Sequence, residues 1–116
     1  LTIVADQVGG PTPARGIAAA CHSIATQLIN TPNASGTYHF SGDPDCSWAD
    51  FARAIFEVAD LRCAVTDIPT SAYPTPAARP ANSRMNCDTL TETFGIERPD
   101  WRASLIDTIK ELEAAS

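Results

Sequence analysis

The strongest helix signal in the sequence is the stretch Ser47-Trp-Ala-Asp-Phe-Ala-Arg-Ala-Ile-Phe-Glu-Val-Ala59. Its Ser47-x-x-Asp50 start resembles a capping box, in which the serine side chain accepts a hydrogen bond from a free backbone amide. Apolar residues then recur at helical spacing, which predicts one buried helix face. The residues expected on that face are Trp48, Phe51, Ala52, Ile55, Phe56 and Ala59.

Weaker signals before this helix predict two strands and a further helix. Residues 1–5 form a β-branched run that reads as a strand, followed by a turn over residues 6–10. Thr12 and Pro13 are typical of a helix start, because threonine caps free amides and proline is tolerated in the first turn. We expect this helix to end before Pro32, residues 35–41 to form a strand, and a buried helical stripe at Ile17, Cys21, Ile24 and Leu28.

After the central helix, the sequence predicts one short strand, a long loop and two helices. Residues 63–66 read as the strand and residues 70–84 as the loop. Asp88 is expected to cap a short helix that Gly95 closes, and Asp100 to cap the last helix. The inward face of that last helix is expected to carry Trp101, Leu105, Ile109 and Leu112.

This order of elements indicates a small α/β unit, with few short strands packed with about four helices. The 116 residues, 44% of them hydrophobic, suit one compact domain with a modest core. The unit is poor in strands for a complete sheet fold. We therefore expect a lobe with one open side that completes a cleft with another domain.

The loop Thr70-Ser-Ala-Tyr-Pro-Thr-Pro-Ala-Ala-Arg-Pro-Ala-Asn-Ser-Arg84 is the best candidate for binding. Its three prolines restrict the backbone and so reduce the entropy lost when a ligand is held. Arg79 and Arg84 carry planar guanidinium groups that suit phosphate oxygens. The alternative is a stiff surface crossover whose arginines pair with the chain's own carboxylates.

Composition excludes several classes of function. The formal charge of −6 argues against a nucleic-acid surface, and no apolar stretch approaches the roughly 20 residues that span a membrane. We expect a cytoplasmic protein without nucleic-acid or membrane partners. The four cysteines form no C-x-x-C pair, which argues against a zinc site or a redox disulfide.

The chain also lacks the residues of a complete catalytic site. Lys110 is its only lysine, so neither tyrosine has the lysine four positions later that a tyrosine–lysine dehydrogenase needs. No G-x-G-x-x-G or G-K-[ST] segment is present. We therefore assign no catalytic residue, and we interpret the isolated His22 and His39 as structural.

Five motifs in order resemble the C-terminal, substrate-binding part of dTDP-4-dehydrorhamnose reductase, a family of extended short-chain dehydrogenases/reductases. The resemblance covers nearly the whole chain, and the proline loop is its most specific part. The motifs are Asp6-Gln7-x-Gly9-x-Pro11-Thr12, Gly36-Thr-Tyr-His39, Ser47-Trp48-x-Asp50-Phe51-Ala52, the loop from Thr70 to Arg84, and Phe94-Gly-Ile with Pro99-x-Trp101.

The resemblance implies that residues 1–116 are a substrate-binding domain, and that an N-terminal Rossmann domain carrying the catalytic group and NADPH or NADH is absent from them. In such an enzyme, hydride transfer reduces the C4 ketone of dTDP-4-dehydro-L-rhamnose. The lobe itself would bind the dTDP-sugar. The implied substrate-binding residues are Gln7, Thr12, Tyr73, Thr75, Arg79, Asn82 and Arg84.

Some members of the resembled family are described as using Mg²⁺ at a homodimer contact built from carboxylates. Glu111 falls where one such carboxylate lies, which makes it a candidate metal ligand. Arg15 stands where another carboxylate would be expected, and a cation beside a divalent metal is unfavourable. We therefore expect an enzyme that does not depend on Mg²⁺.

Two alternatives stay open at this point. Reductase-like proteins also serve as non-catalytic regulatory subunits, for example of methionine adenosyltransferase. An intact or missing Y-x-x-x-K motif upstream would separate the enzyme from the regulator. A freestanding interaction domain ranks last, because its open side would need another partner.

Overall fold

The computed structural model describes all of residues 1–116 and confirms a small α/β unit with four helices. The strands are β1 (Thr2–Val4), β2 (Val8–Gly9), β3 (Cys46–Ser47) and β4 (Thr66–Ile68). The helices are α1 (Ala14–Asn30), α2 (Trp48–Val58), α3 (Asp88–Phe94) and α4 (Trp101–Ala114). In chain order, the elements run β1, β2, α1, β3, α2, β4, α3 and α4.

The strands form two separate pairs. β1 pairs with β4 in parallel, with Val4 opposite Ile68, and α2 packs beside β1. The strand expected at residues 63–66 therefore lies further along, because the register with β1 begins only at Thr66. The antiparallel pair of β2 and β3 has only two residues on each side.

The central helix begins as the sequence predicts. Asp50 donates its backbone N–H to Ser47 Oγ at 3.1 Å, and the Ser47 hydroxyl donates to Asp50 Oδ2 at 2.9 Å, which confirms the cap. The buried side of α2 is centred on the small residues Ala49 and Ala54, which are 0% and 6% exposed. Placing Trp48 on the buried face is wrong, since its side chain is 59% exposed.

Helix α1 starts and packs differently from the expectation. Pro13 is its N-cap without any side-chain hydrogen bond, and the Thr12 hydroxyl instead donates to the Gly10 carbonyl at 2.9 Å. Of the expected buried stripe, Ile17 and Cys21 are exposed, whereas Ile24 and Leu28 are half-buried. Helix α1 packs against α3, and its one buried residue is Ala20.

The last two helices largely follow the sequence pattern. Gly95 ends α3 at φ 70°, a left-handed conformation that glycine adopts without strain. Asp88 does not cap α3, because the N-cap is Cys87. Asp100 caps α4 by accepting the Arg102 N–H at 2.9 Å, as expected. Leu112 is 62% exposed, so placing it on the inward face is wrong.

Residues 35–41 do not form the expected strand. Tyr38 and Phe40 are half-buried while His39 is exposed, so the alternation of a strand is retained. Residues 37–41, however, make no backbone–backbone hydrogen bond, because no strand lies beside them. Tyr38 instead packs edge-on against Phe94, with ring centroids 5.0 Å apart.

The molecule is more extended than the compact domain expected from its composition. Its radius of gyration is 16.9 Å, against roughly 13 Å for a compact domain of about 100 residues. Only 11 of the 116 residues are buried, and the best-buried large side chains are Leu90, Phe94 and Trp101. The core of the fold is therefore thin. No helix combines the length and apolar character needed to span a membrane.

Candidate functional site

Two neighbouring cavities lie where β1, β2 and the start of α2 meet the proline loop. The first, here called the glycine cleft, has a volume of about 500 Å³ and includes Gly9, Gly10, Thr12, Cys46, Ser47 and Ser83 in its lining. The second, the tyrosine cleft, has a volume of about 560 Å³ and includes Ile3, Val4, Tyr73 and Thr75. Gln7, Trp48 and Arg79 line both cavities. These volumes are in the range of small-molecule sites.

The structure brings five of the seven expected binding residues to these cavities. Gln7 and Arg79 lie on the shared wall, Thr12 lines the glycine cleft, and Tyr73 and Thr75 line the tyrosine cleft. The remaining two residues, Asn82 and Arg84, line neither cavity. Their roles in binding stay predictions.

The two loop arginines have different surroundings. Arg84 donates from its backbone N–H and its Nε to Asn82 Oδ1, at 3.0 and 2.9 Å. Arg79 is exposed, lines both clefts, and makes no hydrogen bond and no ion pair. Neither arginine pairs with a carboxylate of the chain, so the ion-paired crossover is not observed. The Arg79 guanidinium is thus available to an anion.

The proline loop is attached at its start to the turn between β1 and β2, and at its other end to β2. At its start, Thr70 donates its backbone N–H and its hydroxyl to Asp6 Oδ1, at 2.9 and 2.6 Å. Gln7 Nε2 also donates to Thr70 Oγ1 at 3.2 Å. At the other end, Val8 exchanges backbone hydrogen bonds with residues 81 and 83, each 2.9 Å long. The loop is therefore positioned by side-chain hydrogen bonds at its start and backbone hydrogen bonds at its end, which the sequence pattern does not reveal.

These contacts make the loop attachment sensitive to pH. The Thr70 hydroxyl, and after it the Thr70 backbone N–H, hold the pKa of the Asp6 carboxyl below its ordinary value. A depressed carboxyl pKa stabilises the folded state above the unfolded pKa of about 4, and this contribution is lost as the pH falls through the folded pKa. The ionised Asp6 therefore stabilises the loop at neutral pH.

We predict that Asp6→Asn lowers stability at pH 7, and that the difference from the unsubstituted protein narrows as the pH falls below about 4. Urea denaturation at a series of pH values measures this difference. Asp107→Asn is the matched control, because it removes the same charge from a side chain with no hydrogen bond or ion pair. A stability difference that does not change with pH would argue against the Asp6–Thr70 attachment.

A half-buried arginine supports the far side of the glycine cleft. Arg98 donates from Nη2 to the Gly42 carbonyl and to Asp45 Oδ1, each at 2.6 Å, and its Nη1 lies 3.3 Å from Asp43 Oδ1. Burial opposes the charge of Arg98, but the Asp45 and Asp43 carboxylates outweigh it and raise its pKa. This network fixes the segment that leads into β3, where Cys46 and Ser47 line the cleft.

Cys46 is a thiol in the glycine cleft that the sequence does not single out. Burial, and after it the charge of Asp50, raises the pKa of its thiol. A thiol with a raised pKa stays protonated at neutral pH and is a poor nucleophile. Cys46 therefore forms part of the cleft wall, and its raised pKa argues against a covalent role.

Sequence reasoning missed several residues of the clefts. Gly9, Ser47 and Ser83 belong to the quoted motifs, and that membership was the available signal for them, whereas Gly10 stands at an unspecified position of the first motif. Trp48 was expected in the core because it fits the helical stripe, yet it lies on the shared wall of the clefts. Its position as the first residue of α2 is the signal that separates it from the buried face.

The candidate metal ligand Glu111 forms an ion pair in the structure. Arg15 Nη1 lies 2.6 Å from Glu111 Oε1, and Arg15 Nη2 donates to Oε2 at 3.1 Å, which joins α1 to the end of α4. No group of three or more histidine, cysteine, aspartate or glutamate side chains is placed to hold a metal ion. Independence of Mg²⁺ stays a prediction.

Almost the whole chain matches a known protein family. A family model described as "RmlD substrate binding domain" matches residues 1–114. The chain belongs to this family. The family description agrees with a chain that has binding clefts and lacks the motifs of a catalytic site.

Several relatives of this substrate-binding domain carry the same name. A dTDP-4-dehydrorhamnose reductase of Sinorhizobium fredii is 46% identical over 110 residues, which cover 90% of this chain and 37% of the relative. The dTDP-4-dehydrorhamnose reductase of Escherichia coli K12 is 36% identical over 119 residues, covering 97% of this chain and 40% of the relative. The chain thus spans about two fifths of the length of these relatives. Both relatives are named as reductases.

Solved structures of the family support the fold. A dTDP-4-dehydrorhamnose reductase from Clostridium acetobutylicum matches with a TM-score of 0.84 and 34% identity, over 97% of this chain and 39% of that one. The Bacillus anthracis reductase, solved in complex with NADP, matches with a TM-score of 0.75 and 32% identity, over 96% and 38% of the two chains. The α/β arrangement described above is therefore the arrangement of this substrate-binding domain.

Proposed function

We propose that this chain is the nucleotide-sugar-binding part of a dTDP-4-dehydrorhamnose reductase, which reduces dTDP-4-dehydro-L-rhamnose to dTDP-L-rhamnose with NADPH or NADH. The observation that carries the proposal is the unpaired Arg79 on the wall shared by two clefts. A guanidinium group free of internal carboxylates suits the diphosphate of a nucleotide-sugar. Gln7, Thr12, Tyr73 and Thr75 line the same clefts and supply further polar contacts.

The residues of this chain do not fit a nicotinamide cofactor. They include no glycine-rich dinucleotide fingerprint and no tyrosine–lysine pair, so we derive no catalytic step from them. We propose that the cofactor and the catalytic group belong to a Rossmann domain outside residues 1–116. The share of the relatives that this chain spans, about two fifths, leaves room for such a domain. The homodimer and the cytoplasmic location likewise stay predictions.

The full-length protein carrying this chain tests the proposal. Purified enzyme mixed with dTDP-4-dehydro-L-rhamnose is expected to oxidise NADPH, which is followed by the loss of its absorbance. If the enzyme left that substrate untouched and reduced a different nucleotide-sugar, the substrate assignment would be wrong. Absence of any reductase activity, together with a missing Y-x-x-x-K motif, would support the regulatory subunit instead.

We predict that Arg79→Ala in this enzyme raises the KM for the nucleotide-sugar about 10- to 150-fold, since a hydrogen bond to a charged group contributes about 1.5–3 kcal/mol. Arg62→Ala is the matched control. It removes the same charge from an exposed side chain that makes no ion pair and lines neither cleft. Steady-state kinetics of both variants measure the difference. Equal effects of the two substitutions would contradict a specific role for Arg79.

A further inference from the structure

Trp48 is the one large aromatic side chain that the fold leaves exposed on the wall between the two clefts. Its side chain is 59% exposed, whereas the chain's other tryptophan, Trp101, is 2% exposed. The neighbouring helix residue Ala49 is completely buried, so α2 is seated normally while its first residue stays outside the core. Exposed tryptophan beside a cavity is typical of a binding surface, because the large ring gains contact area only when a ligand covers it.

The two clefts have different lining residues on either side of this tryptophan. The tyrosine cleft adds the aliphatic side chains of Ile3 and Val4, the ring of Tyr73 and the hydroxyls of Thr2 and Thr75. The glycine cleft adds serine hydroxyls and the backbone of β2. Arg79 lies on the wall common to both. A flat ring with polar groups at its edge fits the tyrosine cleft, and a charged group joined to that ring would lie at Arg79.

We propose that the indole of Trp48 is the stacking surface for the planar base of the nucleoside diphosphate, with that base in the tyrosine cleft and the diphosphate at Arg79. This inference rests on the proposed function, and it adds a base-binding residue to it. Stacking on an aromatic ring depends on the flat face that every base offers and tolerates differences in its edge. Trp48 thus contributes affinity for the base, and Arg79 contributes affinity for the charge.

The test uses the full-length protein with two probes, dTDP and inorganic pyrophosphate, measured by calorimetric titration. Trp48→Ala is expected to raise the Kd for dTDP about 5- to 150-fold, the range for loss of one stacked base, and to leave the Kd for pyrophosphate unchanged. Trp48→Phe keeps an aromatic face and is expected to lose much less affinity for dTDP. Arg79→Ala is expected to weaken the binding of both probes.

Leu61→Ala is the matched control for truncating an exposed apolar side chain. Leu61 is 57% exposed, close to the exposure of Trp48, and it lines neither cleft. Its substitution is expected to leave the Kd for both probes unchanged. A Trp48→Ala variant that behaves like Leu61→Ala would overturn the stacking role.

A spectroscopic readout separates contact with the base from a general structural effect. In protein labelled with 5-fluorotryptophan, the fluorine resonance that disappears in Trp48→Phe belongs to Trp48. That resonance is expected to shift on titration with dTDP and to stay in place with pyrophosphate. Base stacking would be rejected if Trp48→Ala lost equal affinity for both probes, or if the Trp48 resonance did not shift when dTDP bound. Either result would leave the proposed function intact. Failure of the unsubstituted protein to bind dTDP would reject both.

Discussion

Replacing Trp101 with alanine is expected to lower the free energy of unfolding by about 3–5 kcal/mol, the usual cost of removing a buried tryptophan. Trp101 is 2% exposed and lies at the start of α4, where this helix packs on α2. Its ring meets Phe51 edge-on, with the centroids 5.3 Å apart. Its indole N–H donates to the Pro44 carbonyl at 2.6 Å, so the alanine variant also leaves that acceptor without a partner.

Urea denaturation followed by circular dichroism measures this loss, because fluorescence would change with the number of tryptophans. Trp48→Ala is the internal control, since it removes the same side chain from an exposed position. We expect that control to change the free energy of unfolding by less than about 1 kcal/mol. A Trp101→Ala variant as stable as Trp48→Ala would contradict the packing of α4 on α2.

The consequence of Trp101→Ala extends to the binding clefts. Pro44 is held by the indole, and the segment that follows it supplies Cys46 and Ser47 to the glycine cleft. A freed Pro44 segment would let this wall of the cleft move. We therefore expect weaker nucleotide binding in this variant even at temperatures where it remains folded.

The parts of the fold that local chemistry decides could be predicted from the sequence. The Ser47 and Asp100 caps and the left-handed Gly95 each depend on a few neighbouring residues, and all three are present. The predicted burial of Trp48 was wrong for an equally physical reason. Helical periodicity identifies an apolar face, but it does not distinguish a side chain covered by the core from one that faces a cavity.

Features set by contacts between distant segments could not be predicted in this way. β2 and β3 have two residues each, too few for an alternating pattern, and they exist only because their partners lie beside them. Residues 35–41 show the opposite case, with the pattern of a strand and no partner. The candidate site likewise depends on contacts that local sequence patterns do not show. The loop residues were recognisable as a motif, but only the structure separates Arg79, which lines both clefts, from Arg84, which does not.

Gly42→Ala is expected to be the most disruptive single-methyl substitution near the site. A Cβ at this position would lie 1.8 Å from the Pro11 carbonyl oxygen, a backbone atom that moves only if the whole segment moves. Gly42 also donates its N–H to Thr12 Oγ1 at 3.1 Å, so the displaced segment would lose this hydrogen bond. Pro11 and Thr12 both line the glycine cleft.

Overpacking a buried position usually costs about 1–3 kcal/mol, and we expect Gly42→Ala to reach or exceed the upper end because the clash is with backbone. Gly36→Ala is the matched control. Its Cβ would meet only the Tyr38 ring, at 3.6 Å or more, which is ordinary contact. Urea denaturation and dTDP titration of both variants separate the effects. Since the Gly42 clash moves a wall of the cleft, stability and dTDP affinity should fall together in Gly42→Ala. Both should stay near normal in Gly36→Ala. Equal behaviour of the two variants would contradict the close approach of the Gly42 and Pro11 segments.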